Sequence, residues 1–224
     1  MRPGSTGHLA RRPKEKWDPA TILLPEAAAK GPVDLKALFG NSRPVEIEIG
    51  TGKGTFLLAR AAARPEVNFL GIEWARAYAA YAADRFRRAG LTNVRVIRCD
   101  ASHFFPVCLA DRGVWRVHVY FPDPWPKRRH HRRRLIQPAF VRQVRRVLRP
   151  GGQLIIVTDH LDYFRHIEAA VKQVPGLASV PMPRMADRQG ATEGPVRELV
   201  GTNFERKYIA QGRPFYSLVR MRYG

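Results

Sequence analysis

The 224-residue sequence has few cysteines, no long hydrophobic run and a shortage of acidic side chains. Cys99 and Cys108 lack the spacing of metal ligands, so we expect two buried thiols rather than a disulfide framework or a metal site. No apolar run approaches the roughly 20 residues of a membrane-spanning helix. The apolar stretch 22–24 ends at Pro25 and is too short for the hydrophobic core of a signal peptide. These absences predict a cytoplasmic protein without a membrane segment.

Acidic side chains are outnumbered, because 39 Lys and Arg stand against 19 Asp and Glu, giving a net charge of +20. Charge of this size on a short chain attracts polyanions. A membrane surface is the competing partner, but the sequence has no long basic amphipathic helix with an aromatic and leucine face. We therefore expect nucleic acid, and no membrane, to be the partner.

The chain divides into an arm and a domain. Residues 1–32 mix basic residues with Gly, Pro, Ser and Thr, which predicts a flexible basic arm that touches RNA, although a solvated tail without a role also fits. Residues 33–224 have the length of one α/β domain. Residues 175–200, rich in Pro, Gly and Met, are interpreted as a loop.

Within the domain, strand-like and helix-like stretches alternate over 45–50, 54–63, 67–73, 75–89 and 94–99. A strand over 117–121, a helix over 135–148, a strand over 153–158 and a last strand over 215–222 follow. Such alternation is typical of a Rossmann-like fold. We predict a mostly parallel, doubly wound sheet with an antiparallel C-terminal strand and a ligand at the carboxyl ends of its strands.

A strand, a glycine turn and a helix follow one another over 45–62. The strand alternates β-branched and acidic residues, Gly50, Gly52 and Gly54 then occupy every second position, and an apolar helical pattern begins at Phe56. Glycines adopt backbone angles closed to other residues and let a nucleotide-sized ligand approach the main chain. We interpret the turn as a cofactor-binding loop.

The spacing of the turn argues against phosphate binding. A P-loop requires G-x-x-x-x-G-K-[ST], whereas Lys53 lies inside the glycine triplet with no Ser or Thr directly after it. The dinucleotide fingerprint G-x-G-x-x-G is also absent, and Glu48 lies just ahead of the first glycine. A carboxylate there suits a positively charged ligand, such as the amino group and sulfonium of S-adenosylmethionine.

Two further acids, Glu73 and Asp100, end the next two predicted strands. A carboxylate at the second strand end can accept both ribose hydroxyls, and one at the third can accept a hydrogen bond from the adenine amino group. Three acids at successive strand ends are more specific than a lone G-x-G. The alternative is that these acids cap helix N-termini, where negative charge is favourable.

The second informative stretch is 121–134, with sequence F-P-D-P-W-P-K-R-R-H-H-R-R-R. Its three prolines hold Asp123 on a loop with few accessible conformations, beside the aromatic Trp125. The carboxylate can accept from the two donors on the Watson–Crick edge of guanine, the aromatic can stack, and the cations can hold phosphates. A solvated helix start is the alternative for the basic run. The two histidines lack a nearby third metal ligand.

These residues resemble the tRNA (guanine-N7-)-methyltransferases of the TrmB type, a family of class I S-adenosylmethionine-dependent enzymes. The matching motifs are E-I-G-T-G-K-G at 48–54, G-I-E at 71–73, C-D-A at 99–101, F-P-D-P-W-P-K-R-R-H at 121–130, T-D-x-x-x-Y at 158–163 and T-x-F-E-x-K at 202–207. They occur in family order. The long proline-containing motif is far more specific than the glycine turn.

The resemblance implies methylation of guanine 46 in the variable loop of tRNA, with S-adenosylmethionine as methyl donor and no metal. The sequence itself indicates no obligate partner, and we expect a monomer or homodimer. The donor site would contain Glu48, Gly50, Gly52, Glu73, Asp100 and Asp123, of which Asp123 would also be catalytic. The substrate nucleotide would contact Lys127, Asp159, Thr202, Asn203, Phe204 and Glu205. Asn203 departs from the family pattern, which often has a charged residue there.

Guanine N7 carries a lone pair and no proton, so we expect methyl transfer without a general base. Catalysis would come mainly from holding the nitrogen in line with the methyl group. Two other functions remain open from the sequence. One is a class I methyltransferase acting on another RNA or on protein, and the other is a basic RNA-binding protein that has kept the fold without the activity.

Overall fold

The computed structural model describes residues 22–182 and 202–224, so the predictions for 1–21 and for 183–200 lie outside it. The strands are β1 (Leu23–Leu24), β2 (Val45–Ile49), β3 (Asn68–Glu73), β4 (Val94–Arg98), β5 (Val114–Tyr120), β6 (Leu148–Thr158), β7 (Leu177–Ser179) and β8 (Tyr216–Arg222). The α-helices are α1 (Leu35–Phe39), α2 (Thr55–Ala63), α3 (Arg76–Arg88), α4 (Ala101–Cys108), α5 (Pro138–Val147), α6 (Leu161–Lys172) and α7 (Asn203–Ala210). Two 3-10 helices span Glu26–Ala29 and Arg128–Arg133.

The strands of the described residues form one sheet in the order β1-β4-β3-β2-β5-β6-β8-β7. Every hydrogen-bonded pair among β1 to β6 is parallel, whereas β8 runs antiparallel to both β6 and β7. The predicted mostly parallel sheet with an antiparallel C-terminal strand is therefore confirmed. From β2 the sheet extends through β3 on one side and through β5 on the other. A ligand site belongs at this switch point, outside the carboxyl ends of β2 and β5.

Helices cover both faces of the sheet, as a doubly wound fold requires. On one face α4, α5 and α6 bury Phe104, Val141 and Ile167, and on the other α2 and α3 bury Leu57 and Phe86. The central strands β2 and β3 are buried along their whole length. Full burial suits the apolar residues of both strands, and it leaves the acids Glu46 and Glu48 of β2 buried as well. No helix within 22–182 or 202–224 combines the length and apolar composition needed to cross a membrane.

The glycine turn joins β2 to α2. Gly50, Gly52 and Gly54 have φ angles of 79°, 53° and 71°, all in the left-handed region that favours glycine. Gly54 is also closely packed, because a Cβ at this position would lie 2.6 Å from the ring of Phe86 in α3. The backbone angles therefore explain all three glycines, and packing adds a second reason at Gly54.

The sequence assigns residues 22–32 to the flexible arm, but the structure packs them on the domain. Leu23 and Leu24 pair in parallel with β4, and Ile22 is 2% exposed. The following 3-10 helix buries Ala29. The physical reason is that β4 would otherwise be an open sheet edge, which a short strand covers while burying apolar surface. The arm boundary at residue 32 is therefore too late.

Three smaller differences separate the observed elements from those predicted from the sequence. Helix α5 begins at Pro138 rather than 135, because proline is favoured in the first helical turn. Strand β6 begins at Leu148 rather than 153 and includes the Arg-Pro-Gly-Gly segment. Strand β7 lies within the stretch interpreted as a loop, because β8 offers it an antiparallel partner.

Candidate active site

Five acids lie at the carboxyl ends of the parallel strands. Glu48 is the second-to-last residue of β2, Glu73 ends β3, and Asp100, Asp123 and Asp159 follow β4, β5 and β6. Because parallel strands end at the same edge of a sheet, all five lie along one edge. The structure thus brings the sequence-predicted acids together around the switch point.

Glu48 is a buried carboxylate that forms no ion pair within the part of the chain that the structure describes. It is 4% exposed, and its Oε2 atom has no hydrogen-bond partner among the described residues. Burial raises the pKa of Glu48 well above its ordinary value, and the charge of Glu73 adds to the rise. A buried anion in this state is stabilised by a cation. The site therefore suits a positively charged ligand group.

Glu46, two residues earlier on the same face of β2, has the opposite environment. Its carboxylate lies 2.9 Å from His118 Nε2, 3.2 Å from an Arg116 nitrogen and 3.3 Å from an Arg64 nitrogen. Burial alone would raise the pKa of Glu46, but the hydrogen bond from His118 and the nearby cations lower it to about 2. Among the described residues, cations thus surround Glu46 and none pairs with Glu48.

His118 connects this buried cluster to the end of β5. Burial lowers the pKa of His118 in spite of Glu46, so the ring is neutral at pH 7. With Nε2–H donating to Glu46, Nδ1 accepts from the Tyr120 hydroxyl at 2.7 Å. The ring of Phe56 packs against both His118 and Tyr120, each at 4.9 Å between centroids. This network fixes the strand end that precedes Asp123.

Glu73 ties the glycine turn to β3. Its Oε2 accepts from the Gly52 amide at 2.7 Å, and its Oε1 accepts from the Ala75 amide at 2.8 Å. Each carboxylate oxygen has a further lone pair, so these contacts leave acceptor capacity for a ligand. Glu73 therefore shapes the turn in addition to ending the strand.

Asp100 caps the N-terminus of α4. Its Oδ1 accepts from the Ser102 amide at 2.8 Å and from the Ser102 hydroxyl at 2.7 Å. The capping role considered for the strand-end acids thus holds for Asp100, whose side chain stays exposed. Glu48, which is buried inside β2, makes no such cap.

The loop that carries Asp123 has an unusual backbone. Phe121 and Trp125, on either side of Asp123, have φ angles of 51° and 44°. Side chains with a Cβ rarely adopt this region, and such residues persist only when the surrounding structure holds them. Phe121 is held by its amide, which donates to Val157 O at 2.7 Å, and by its ring, which packs edge-on against Phe215. Asp123 itself is exposed.

The basic run forms an exposed 3-10 helix rather than an α-helix start. Lys127 is exposed at its N-cap position, and no residue of the 3-10 helix is buried. Trp125 lies beside this helix, with the Arg133 guanidinium 5.0 Å from its ring and the His130 ring edge-on at 5.9 Å. An aromatic plane and a row of cations therefore adjoin Asp123.

Asp159 and Thr202 complete the part of the predicted substrate site whose side chains the structure describes. The Asp159 carboxylate accepts from Arg213 Nη2 at 2.7 Å, which links the end of β6 to the segment before β8. Thr202 is 7% exposed and precedes α7. The side chains of Asn203, Phe204 and Glu205 lie outside the described set, so their predicted contacts stay predictions.

Comparisons with known proteins agree with this geometry. A model of the family described as "Putative methyltransferase" matches residues 42–218. The tRNA (guanine-N(7)-)-methyltransferase of Pseudomonas entomophila is 38% identical over 218 residues, which cover 97% of this chain and 87% of that protein. The chain belongs to the tRNA (guanine-N(7)-)-methyltransferase family.

Two further comparisons set the extent of the likeness. The tRNA (guanine-N(7)-)-methyltransferase of Chromohalobacter salexigens is 40% identical over 160 residues, which cover 71% of this chain and 65% of that protein. The crystal structure of the 16S rRNA methyltransferase KamB matches with a TM-score of 0.58 over 84% of this chain and 92% of that chain. At 13% identity, this second match shows a shared fold.

Sequence reasoning missed two arginines of this methyltransferase-family site. Arg213 contacts Asp159, and Arg134 contacts the Asp123 loop from inside the domain. Arg134 is the last residue of the basic run, and its only distinguishing signal was its position directly before the apolar pair 135–136. Arg213 had no signal beyond the Gly-Arg-Pro turn that contains it.

Proposed function

We propose that the protein transfers the methyl group of S-adenosylmethionine to N7 of guanine 46 in the variable loop of tRNA. Family membership and the names of the relatives support the tRNA guanine-N7 reaction. The observation that carries the proposal is the buried, unpartnered Glu48 oxygen, on the same sheet edge as Asp123. A cationic methyl donor would supply the positive charge that the buried Glu48 carboxylate lacks. A guanine would donate hydrogen bonds to Asp123.

The donor site is proposed at the carboxyl ends of β2, β3 and β4. Glu48 would hold the amino group of the donor, and the main chain at Gly50 and Gly52 would lie against it. A Cβ built at Gly50 meets nothing within 4 Å, so this part of the turn is open to a ligand. Glu73 would accept the ribose hydroxyls and Asp100 the adenine amino group, while Asp123 closes the pocket.

The guanine site is proposed between Asp123 and the substrate-binding residues. The Asp123 carboxylate would accept from the ring N–H and the exocyclic amine of guanine. Adenine presents an acceptor in place of the ring donor, so a fixed carboxylate rejects it. By their match to family motifs, the remaining contacts would come from Lys127, Asp159, Thr202, Asn203, Phe204 and Glu205.

The reaction needs alignment more than acid–base chemistry. When bound, the donor supplies a sulfonium methyl group, whose bond to sulfur breaks as the guanine N7 lone pair bonds to the carbon. The chain moves no proton, because N7 carries none. Asp123 holds the base in line and stabilises the positive charge that develops on it.

The remaining surface would serve tRNA binding. The exposed 3-10 helix at 128–133 and the basic residues of the arm are proposed to contact phosphates, consistent with the net charge of +20. We propose a cytoplasmic enzyme that acts as a monomer or homodimer without an obligate partner.

The test is transfer of labelled methyl from S-adenosylmethionine to unmodified tRNA transcripts. We expect label on the transcript with guanine 46 and less than about one thousandth as much on a matched transcript with adenine there, because Asp123 discriminates between the two bases.

Each other outcome changes the proposal. Equal label on both transcripts would keep the methyltransferase and discard guanine 46 as its site. If neither transcript is labelled while both bind, the protein is a tRNA-binding protein rather than this enzyme.

Replacing Lys127 with alanine tests the phosphate contact. We expect weaker tRNA binding and a plot of log affinity against log salt that is shallower by about 0.7–0.9, the contribution of one lost phosphate contact. Filter binding over a salt series measures the slope. Lys36→Ala, an exposed lysine on α1, is the matched control and keeps the parent slope. An unchanged slope for Lys127→Ala would show that Lys127 makes no contact with a tRNA phosphate.

A further inference from the structure

Arg134 differs from every other cation of the basic run because it is buried. Its side chain is 1% exposed, whereas Lys127 and the arginines at 128, 129, 132 and 133 are exposed. A guanidinium enclosed by the protein is poorly placed to meet a phosphate of an RNA backbone. Arg134 therefore needs an explanation other than the electrostatics of the run.

The guanidinium bridges the Asp123 loop and helix α6. Its Nε donates to the carbonyl of Pro124 at 2.9 Å, its Nη2 pairs with Asp162, and its plane lies 4.9 Å from the ring centroid of Tyr163. Tyr163 is fully buried, and its hydroxyl accepts from the Ile136 amide at 3.2 Å. The bridge thus ends on a rigid part of the core.

The contact falls where the loop backbone is strained. The Pro124 carbonyl belongs to the peptide that leads into Trp125, whose φ is 44°. A bulky residue in this region is strained and persists only under tertiary restraint. A hydrogen bond to the Pro124 carbonyl fixes the orientation of that peptide. Asp123 directly precedes Pro124, whose ring fixes its own φ angle, so restraining the peptide after Pro124 also restrains the backbone that carries Asp123.

We propose that Arg134 is a positioning residue that holds the loop so that Asp123 points at the guanine, and that it does not contact the tRNA. The inference rests on the proposed role of Asp123. Arginine suits the task because its planar group donates in two directions at once, to a carbonyl and to a carboxylate. A lysine ammonium keeps the charge but lacks this fork.

The experiment compares Arg134→Gln with Arg132→Gln, an exposed cation two positions earlier. For Arg134→Gln we expect kcat to fall about 10- to 100-fold, with the salt slope of tRNA affinity and the donor KM close to wild type. For Arg132→Gln we expect the salt slope to become shallower by about 0.7–0.9. An equal loss of slope in Arg134→Gln would make Arg134 a phosphate contact and overturn the proposal.

A double variant separates positioning through Asp123 from a general structural role. In an Asp123→Asn background, Arg134→Gln should lower kcat no further, because the group that it positions is already lost. A full multiplicative loss in the double variant would contradict the proposal. If Arg134→Gln fails to fold, Arg134→Lys takes its place under the same criteria.

A readout independent of catalysis distinguishes failure of this inference from failure of the proposed function. Hydrogen exchange of the 121–130 peptide should be faster in Arg134→Gln than in wild type. The reason is that the hydrogen bond from the Phe121 amide to the Val157 carbonyl should open more often when the loop is no longer held. Unchanged exchange would overturn the anchoring role. If the loop loosens but wild type methylates no tRNA, the anchor stands and the proposed function fails.

Discussion

Replacing Asp123 with asparagine is expected to lower kcat about 100- to 1000-fold while donor affinity stays within about threefold. Asparagine keeps the shape of the side chain but removes the negative charge that is proposed to stabilise the guanine cation as it forms. Removing one preorganised electrostatic contact of this kind typically has an effect of this size. Single-turnover methyl transfer at saturating tRNA measures kcat, and calorimetry measures donor binding.

Glu66→Gln is the charge-matched control for this variant. Glu66 is exposed and precedes β3, so it lies at the amino ends of the parallel strands, whereas Asp123 lies at their carboxyl ends. We expect its turnover to equal that of wild type. Wild-type turnover in Asp123→Asn would remove Asp123 from the mechanism and leave positioning to the rest of the site.

Replacing Glu48 with glutamine is expected to weaken S-adenosylmethionine binding about 10- to 100-fold and to raise the melting temperature of the ligand-free protein. The first effect follows because the variant loses the charge-assisted hydrogen bond that is proposed between Glu48 and the donor amino group. The second follows because the folded protein no longer buries an unpaired carboxylate. Thermal unfolding with and without donor measures both effects.

The pH dependence of stability shows why the melting temperature should rise in Glu48→Gln. The folded-state pKa of Glu48 is raised, so the folded protein binds a proton that the unfolded chain releases. The stability from this proton is complete below the unfolded pKa of about 4.3 and is lost as pH rises through the folded pKa. In Glu48→Gln this loss disappears. An unchanged melting temperature at pH 7, together with unchanged donor affinity, would contradict the proposed role.

Glu46→Gln is the matched control, because it is the same substitution two residues away on the same face. The pKa of Glu46 is lowered to about 2, so its contribution to stability is present above the unfolded pKa and is lost as pH falls toward 2. Removing its charge leaves buried cations without their partner, which typically destabilises by about 3–5 kcal/mol. The two variants should therefore shift the melting temperature in opposite directions.

Local patterns were sufficient for the parts of the site that lie within one strand or one turn. The acids Glu48, Glu73 and Asp100 could be placed because strand periodicity and parallel topology together fix where strands end. The glycine turn could be read because positive φ restricts the choice of residue. Asp123 stood out because prolines and an aromatic residue surround it, and the family motifs added Asp159 and positions 202–205, which no periodicity identifies.

The rest depends on contacts between residues far apart in the chain. Arg134 looks like its neighbours in the sequence, and only the approach of Asp162 and Tyr163, 28 and 29 positions later, makes it a buried bridge. The left-handed backbone at Phe121 and Trp125 runs against the preference of both residues, so composition could not reveal it. The cations around Glu46 likewise come from two distant parts of the chain, Arg60 and Arg64 at the end of α2 and Arg116 in β5.

The position of β8 has a consequence for how the chain acquires its fold during synthesis. β7 is made before β8, yet it pairs only through β8, which lies between it and β6. Until β8 emerges from the ribosome, β6 offers an open edge with Ile155, Ile156 and Val157 unpaired on that side. Such an edge is a template for association with other chains. We therefore expect the nascent protein to be prone to aggregation between the emergence of β6 and that of β8, an interval that also ends with the synthesis of Arg213, the partner of Asp159.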